Sequence, residues 1–192
     1  MAVAQPSRHQ SLIPYFEIWA IPAIYINSAA NRNNFDRWLS GEGREHCETW
    51  WYTCIGPENP HVSYHIDDYL LSARAMGWMQ KDYGLAGNLY WETVFWTRYR
   101  DEVREKTDVY EGDPMHFPGD NGDGYLVYPG DVYGIDGPVG SIRLESIRDG
   151  LEEYEMLADL EKRYAATGVD DTDLLQTLYS RLYAGARVTT TA

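Results

Sequence analysis

Aromatic residues stand near the end of each apolar run of this sequence that has the composition of a β-strand. They are Trp19, Tyr52, Trp91 and Tyr128. Tyrosine and tryptophan suit half-wet positions, because one edge of the side chain packs while the other meets water or a polar ligand. Sugar rings are ligands of that kind, with apolar C–H faces and hydroxyl edges. The pattern indicates either a sugar-stacking cleft or an aromatic core, and Tyr52 and Trp91 are the two residues that we expect to face a cleft.

Glu92 is the best single carboxylate for catalysis, because it follows Trp91 at the end of a strand-like run. Glycoside hydrolysis usually uses two carboxyl groups, about 5–5.5 Å apart in retaining enzymes and about 6.5–9.5 Å apart in inverting enzymes. The adjacent acids Asp101 and Glu102 lie in a charged run that is typical of a solvated surface. Glu92 is therefore a candidate for chemistry or for a hydrogen bond to a ligand, and its catalytic partner is unknown.

Other reactive patterns in the sequence are weaker. His61 and His65 have i, i+4 spacing, but Pro60 argues against the helix that a zinc site would need there. The segment 120–124 resembles the start of a calcium loop, yet it lacks the distal glutamate of such loops, and a tight turn is the better interpretation. There is no G-x-S-x-G motif for a nucleophilic serine. We expect no metal and no cofactor.

The composition excludes several classes of protein. The chain has 192 residues, of which 44% are hydrophobic and 24% charged, the balance of one globular domain. Its net charge of −14 disfavours binding to nucleic acid and to anionic membranes. No apolar run is long enough to cross a bilayer. The N-terminus lacks the apolar region of a signal peptide, which predicts a cytoplasmic protein, or a secreted one if the natural N-terminus is missing.

Strand-like and helical runs alternate along the chain, which is the pattern of parallel βα units. The predicted strands are Leu12–Trp19, Thr49–Cys54, Gly87–Glu92 and Tyr125–Tyr128, and helical stretches are predicted over Phe35–Leu39, Asp68–Tyr83, Ser141–Ala166 and Asp171–Ala184. A (β/α)₈ barrel has eight such units. The sequence therefore predicts an α/β fold that is half of a TIM-type barrel, about four βα units. A doubly wound sheet is the alternative, but no G-x-G-x-x-G motif or P-loop supports it.

Four strings of the sequence fit one protein family in the same order. They are TWWYTC, GLAGNLYWETVFW, GDGYLVYPG and GPVGSIRLESIRDGLEEYEML. The last contains a Ser-x-Arg-x-Glu, then an Arg-Asp-Gly, then an acidic Tyr-Glu pair before leucine. Together they resemble the catalytic barrel of glycoside hydrolase family 123, also described as domain of unknown function 4091. The resemblance covers roughly residues 16–160.

The resemblance implies a (β/α)₈ barrel that hydrolyses N-acetyl-β-galactosaminides by substrate-assisted catalysis. The 2-acetamido oxygen attacks the anomeric carbon, while an adjacent Asp-Glu pair orients the acetamido group and acts as general acid/base. That pair follows the fourth strand of the family's barrel, and the context of Asp101 and Glu102 does not match it. The resemblance therefore implies that residues 1–192 are the C-terminal half of the barrel, strands five to eight, without the catalytic pair. Independently of the resemblance, residues 185–192 are predicted to be a frayed tail.

The resemblance also carries a cleft wall over to matching strand ends, namely Trp19, Tyr52, Trp91 and Tyr128. Arg143 begins the last barrel helix at the same end, so it is expected to support a ligand or a carboxylate, or else to form an ion pair with a local acid. Together with Glu92, these residues are the predicted carbohydrate-binding set.

Two other functions stay open at this point. One is a glycosidase with Glu92 as nucleophile, and the other is a non-catalytic carbohydrate-binding or assembly protein that uses the same aromatic cleft. Half a barrel would also leave strand edges and an interior face uncovered. We therefore expect self-association, pairing with a missing N-terminal half-barrel, or aggregation.

Overall fold

A four-stranded parallel sheet forms the centre of the computed structural model, in which each strand pairs with the next one along the chain. The described residues are 1–4, 8–26, 29–39, 47–95, 116–117, 120–168, 170, 172–184 and 187–188. The strands of the sheet are β1 (Ala2–Val3), β2 (Ile18–Pro22), β3 (Glu48–Thr53) and β4 (Gly87–Tyr90). The chain is thus a mixed α/β protein, and its described residues form no closed barrel.

Helices accompany the sheet, and their ends follow local capping rules. They are α1 (Ala29–Leu39), α2 (Leu70–Asp82), α3 (Ile142–Thr167) and α4 (Thr172–Leu182). Ser141 caps α3 by accepting a hydrogen bond from the Leu144 N–H at 3.2 Å. Gly168 ends α3 in the left-handed conformation, with φ of 71°. Helices α2, α3 and α4 were predicted close to these positions.

Three short antiparallel pairs complete the described structure. They are β5 (His116–Phe117) with β6 (Asp120–Asn121), β7 (Val127–Pro129) with β8 (Pro138–Gly140), and β9 (Tyr183–Ala184) with β10 (Arg187–Val188). The last pair lies partly within the segment that the sequence predicts to be a frayed tail. Among the described residues, no helix is long and apolar enough to traverse a lipid bilayer.

One face of the sheet packs against the helices, and we call it the helix-covered face. Trp51 in β3 is fully buried there, in a cluster with Met76 and Met79 of α2. On the same face the Thr49 hydroxyl lies 3.3 Å from an Asp36 carboxylate oxygen of α1. Because successive side chains alternate along a strand, the aromatic run of β3 divides between this face and the other.

The opposite face, which we call the aromatic face, carries the half-buried Trp50, Tyr52 and Leu89. Trp50 and Gly87 are register partners, as are Tyr52 and Leu89. A Cβ added to Gly87 would lie 2.5 Å from the Trp50 ring, so glycine is what allows the indole to lie flat across β4. The helices described above pack on the other side of the sheet.

Helices α2 and α3 cross at two glycines, and we call this crossing the helix joint. A Cβ on Gly77 would lie 2.1 Å from the Gly150 carbonyl oxygen, and a Cβ on Gly150 would lie 2.4 Å from the Arg74 carbonyl oxygen. Beside the crossing, Glu153 accepts hydrogen bonds from Arg74 Nε at 3.0 Å and from Trp78 Nε1 at 2.7 Å. The joint fixes α3, whose N-terminus approaches the end of the sheet.

The prediction that Tyr125–Tyr128 is the fourth parallel strand is wrong. Its C-terminal part belongs to β7, which pairs antiparallel with β8 outside the main sheet. The Leu126 and Val127 N–H groups both donate to the Thr93 carbonyl at 3.1 Å. A short apolar run shows that a segment is extended, but its pairing partner depends on contacts distant in sequence.

The prediction of a first strand over Leu12–Trp19 is also largely wrong. Residues Gln10–Tyr15 form a 3₁₀ helix that contains Pro14, and β2 begins only at Ile18. Proline lacks the N–H that a central strand must donate. The remaining place in the sheet is taken by β1, whose two residues are too few to give a periodic signal.

Candidate functional site

The ends of β2, β3 and β4 form the carboxyl edge of the sheet, and this edge carries Tyr52 and Trp91. The Trp91 N–H donates to the Thr53 carbonyl at 3.0 Å, which extends the β3–β4 ladder past the end of β4. Since Leu89 shares a face with Tyr52, the alternation of side chains places Trp91 on that aromatic face too. Both Tyr52 and Trp91 are half-buried. This is the placement that sugar stacking requires, and their role in binding stays a prediction.

Trp91 packs against a glycine turn at the carboxyl edge. Its ring centroid lies 4.8 Å from that of Phe95, with 49° between the ring planes. A Cβ on Gly124 would lie 2.8 Å from Phe95 and 3.0 Å from Trp91, and Gly124 has φ of 80°. Glycine at this position therefore satisfies both the positive φ and the close approach of the two rings.

Tyr52 presents a protonated hydroxyl at this edge. Burial raises its pKa most, and the neighbouring Cys54 and the more distant charge of Asp123 raise it further. The hydroxyl is consequently neutral at physiological pH and able to donate a hydrogen bond to a ligand oxygen.

The other predicted site residues lie in different parts of the structure. Glu92 is half-buried beyond the end of β4. Trp19 is fully buried near the start of β2, in a cluster with Ile13, so its predicted place at a strand end was wrong. The error follows from the late start of β2. Asp101 and Glu102 lie outside the described residues.

Tyr128 is half-buried in β7, outside the parallel sheet. Its hydroxyl accepts a hydrogen bond from Arg143 Nη2 at 3.0 Å. The prediction that Tyr128 ends a parallel strand was therefore wrong, because β7 pairs with β8. Tyr128 instead helps to hold a buried arginine.

Arg143 is a buried residue that joins several segments of the chain by hydrogen bonds. It is buried, and Nη1 donates to the Tyr64 carbonyl and, at 2.9 Å, to the Gly122 carbonyl, while Nη2 donates to the Tyr125 carbonyl at 2.6 Å. These hydrogen bonds go to backbone carbonyls and to a tyrosine hydroxyl, and the positive charge of Arg143 also acts on the Asp123 carboxyl group. Its predicted role toward a ligand stays a prediction. Its effect on the site is to hold the turn that contains Asp123.

Asp123 is the residue that the sequence analysis missed. Its side chain is 1% exposed, and neither carboxyl oxygen makes a hydrogen bond of normal length and angle within the described part of the chain. Burial raises the pKa of this carboxyl group. The nearby Tyr90 hydroxyl and the charges of His65 and Arg143 act in the opposite direction without cancelling the effect of burial.

The neighbours of Asp123 come from several elements. Tyr90 ends β4, and its hydroxyl accepts a hydrogen bond from the Gly124 N–H at 2.8 Å. His65 is buried, and its Nε2 lies 2.7 Å from the Cys54 carbonyl oxygen just beyond β3. Thr53, the register partner of Tyr90, is fully buried and its hydroxyl has no hydrogen-bond partner among the described residues. A group of buried polar side chains thus lies at the carboxyl edge.

A local signal for Asp123 did exist in the sequence. It lies between Gly122 and Gly124, both of which have positive φ, 77° and 80°. The predicted tight turn is confirmed at residues 122–124, but no role was expected for the aspartate within it. An acid in a turn is usually solvated, and only the packing of the strand and helix around it shows that this one is buried.

A cavity of about 360 Å³ lies on the other side of the sheet, between β4 and helices α2 and α3. Its lining is mainly apolar and includes Tyr64, Met76, Asn88 and Ile147. The Asn88 side chain donates to the Tyr64 hydroxyl at 2.7 Å, so its amide is satisfied within the fold. This cavity belongs to the packing of the helix-covered face. Among the described residues, no three His, Cys, Asp or Glu side chains come together to hold a metal ion.

The fold and this edge define an α/β protein with aromatic and acidic side chains at the carboxyl end of a parallel sheet. The chain belongs to the glycoside hydrolase 123 catalytic domain family, whose model matches residues 23–160. The match confirms the resemblance drawn from the four strings. A comparison with curated proteins found no match. Family membership supports a glycoside hydrolase-like function and a carbohydrate substrate.

Proposed function

We propose that this chain is part of a (β/α)₈ barrel that hydrolyses N-acetyl-β-hexosaminides, of the N-acetyl-β-galactosaminide type, by substrate-assisted catalysis. The family match over residues 23–160 carries the proposal. The sugar ring would lie at the carboxyl edge, where reactive groups of such barrels are found. Tyr52, Trp91 and Glu92 would contact it there.

The arrangement of layers supports a barrel over a doubly wound sheet. Consecutive strands are parallel neighbours in the order β1 to β4. A doubly wound sheet is covered by helices on both faces, whereas Trp51 and Thr49 direct the same face of β3 toward α2 and α1. The aromatic face would then be turned toward the barrel interior. Pairing with a copy or with further strands would cover it.

The proposed reaction needs no nucleophile from the protein, because the acetamido group of the substrate takes that role. The acetamido oxygen of the sugar forms a bond to the anomeric carbon while the glycosidic C–O bond breaks, and a general acid gives its proton to the leaving oxygen. Water then adds to the anomeric carbon, the bond from this carbon to the acetamido oxygen breaks, and the group that gave up its proton takes one from the water. We propose that these proton transfers are performed by the family's Asp-Glu pair, which has no counterpart among the motifs of this chain. This chain alone would then have no substantial activity, because general acid/base catalysis is worth about 10²–10⁴-fold.

The test uses p-nitrophenyl N-acetyl-β-galactosaminide with this chain alone and with its upstream coding segment included. We expect turnover only with the upstream segment, and none with the matched galactoside that lacks the acetamido group. Strong turnover by the chain alone that is lost in Glu92→Gln would favour Glu92 as nucleophile. Sugar binding by both proteins without hydrolysis by either would favour the carbohydrate-binding function. The absence of both binding and hydrolysis would contradict the proposal.

Trp91→Ala tests the position of the sugar. We expect binding of N-acetylgalactosamine to weaken by about tenfold or more, since about 1.4 kcal/mol of lost contact gives that factor. The matched control is Trp50→Ala, which removes a half-buried indole from the same face away from the carboxyl edge. Titration calorimetry and thermal melts of both variants make the measurement. Equal loss of binding in the two would place the sugar elsewhere.

A further inference from the structure

Two buried polar side chains at the carboxyl edge lack partners within the described part of the chain. Asp123 is 1% exposed, and neither carboxyl oxygen has a well-aligned hydrogen bond from a described residue, although the Tyr90 hydroxyl and the Gly124 N–H are close enough to lower its pKa. Thr53 is fully buried, and its hydroxyl has no hydrogen-bond partner among the described residues. They lie on either side of Tyr90, which pairs with Thr53 in register and whose hydroxyl is beside Asp123. Most buried polar groups in proteins have a hydrogen-bond partner, so two exceptions in one place point to a missing one.

The Asp123 side chain contributes little to the stability of the fold in this position. A buried carboxylate without hydrogen bonds is costly to the folded state, and the same space is filled equally well by a neutral amide. The groups facing it are the Tyr90 hydroxyl from β4, Tyr52 from β3, His65 from the segment after β3 and Arg143 from α3. The guanidinium of Arg143 is already engaged with backbone carbonyls. The described residues therefore leave acceptor capacity on Asp123 that a ligand hydroxyl would use.

We propose that Asp123 is a sugar-binding residue of this domain, whose carboxyl group accepts hydrogen bonds from ring hydroxyl groups of a pyranose seated at the carboxyl edge. This inference rests on the proposed function and deepens it. Hydroxyl groups are the donors that a pyranose offers, and a carboxylate accepts from two of them at once.

Trp91 lies beside the turn that buries Asp123. The Trp91 ring lies against Gly124, the residue after Asp123, and is half-exposed. Rotation of one partly exposed side chain is fast compared with ligand binding. If the Trp91 indole rotated away from Gly124 and onto the sugar ring, it would expose the Asp123 carboxyl group. The same indole would then make the apolar contact with the sugar. The polar and apolar sides of the ligand would thus be engaged together.

The test compares the chain with Asp123→Asn and with the matched control Asp131→Asn, whose side chain is exposed. The probe is N-acetylgalactosamine, with titration calorimetry for affinity and thermal melts for stability. We expect Asp123→Asn to bind at least about tenfold more weakly and to melt at the same or a higher temperature near neutral pH. We expect Asp131→Asn to match the unchanged chain in both measurements.

Each other outcome overturns the inference in a recognisable way. Unchanged affinity in Asp123→Asn, with sugar bound by the unchanged chain, overturns the role of Asp123 and leaves the proposed function standing. A lower melting temperature in Asp123→Asn would show that the carboxyl group is structural. If the unchanged chain binds neither this sugar nor the chromogenic substrate, the proposed function and the inference fail together.

Discussion

The helix joint and the carboxyl edge differ in whether their polar side chains have hydrogen-bond partners. At the joint, Glu153 accepts from both Arg74 and Trp78, and Lys81 of α2 pairs with Glu161 of α3. At the edge, Asp123 is more deeply buried and has no such partners among the described residues.

This difference separates stability from function within one small fold. Satisfied polar groups hold elements together, whereas an unsatisfied buried group costs stability and is available to a ligand. The two regions are joined by α3, because the joint fixes this helix and its first turn carries Arg143, which holds the turn of Asp123. Variants in the joint should therefore change stability first, and variants at the edge should change binding first.

The largest expected effect is at the helix crossing. Gly77→Ala would place a Cβ 2.1 Å from the Gly150 carbonyl oxygen, which belongs to backbone and cannot rotate away. We expect a loss of about 3 kcal/mol or more in the free energy of unfolding, measured by urea denaturation. The control is Gly140→Ala, whose Cβ would meet only the Leu144 side chain at 3.6 Å. Equal stability of the two variants would contradict the close crossing.

Arg143→Met should come next and should affect both regions. It removes the side-chain donor of the Tyr64 and Tyr125 carbonyls, whereas the Gly122 carbonyl keeps the Tyr125 N–H, and each unsatisfied buried group costs about 1–3 kcal/mol. We expect a fall of about 2–4 kcal/mol in the free energy of unfolding. Weaker sugar binding should follow from release of the Asp123 turn.

The matched control for this variant is Arg163→Met, which removes an exposed arginine from an i, i+4 pair with Asp159. We expect a change below about 0.5 kcal/mol there. A mild effect of Arg143→Met would mean that the carbonyls find water in its place.

Glu153→Gln should have a moderate effect that depends on pH. The hydrogen bond from Arg74 contributes most to lowering the Glu153 pKa below its ordinary 4.5, and Trp78 contributes too. The stabilisation is therefore present above pH 4.5 and is lost as the pH falls through the lower value in the folded state. Because Arg74 is 45% exposed, we expect about 1 kcal/mol at neutral pH.

The control for the joint is Glu152→Gln, an exposed neighbour whose carboxylate lies 3.6 Å from Arg148. Denaturation curves at neutral and acid pH should separate the two variants only at neutral pH. A constant difference across that range would show that Glu153 acts by packing and not by charge.

The smallest expected effect is on the stability of Asp123→Asn, and its sign is opposite. Burial raises the Asp123 pKa above its ordinary 3.8, so its charge penalises the folded state. The protonated form carries no penalty below pH 3.8, and the penalty develops as the pH rises through the folded value. We expect the free energy of unfolding of the variant to exceed that of the unchanged chain by up to about 1 kcal/mol at neutral pH, and to equal it at acid pH. Melts across this range make the measurement, and the reverse trend would contradict the prediction.

Much of the local structure was predictable because its causes are local. The apolar spacing of Leu144, Ile147 and Leu151 gave α3, and Ser141 and Gly168 set its ends. The aromatic strings of β3 and β4 gave two strands of the parallel sheet and, through Tyr52 and Trp91, the aromatic side of the candidate site. Four motifs in order gave the family. Periodicity, capping and motif order are all present in the sequence itself.

Only the tertiary structure decided which strand pairs with which and which polar groups are satisfied. The run Tyr125–Tyr128 is extended as predicted, but Thr93 and β8, not the parallel sheet, supply its hydrogen bonds. Arg143 looked available for a ligand, and Asp123 looked like a solvated turn residue. Their roles depend on carbonyls and side chains brought together from distant parts of the chain, because hydrogen-bond satisfaction and burial are properties of the folded neighbourhood and not of a residue or its spacing.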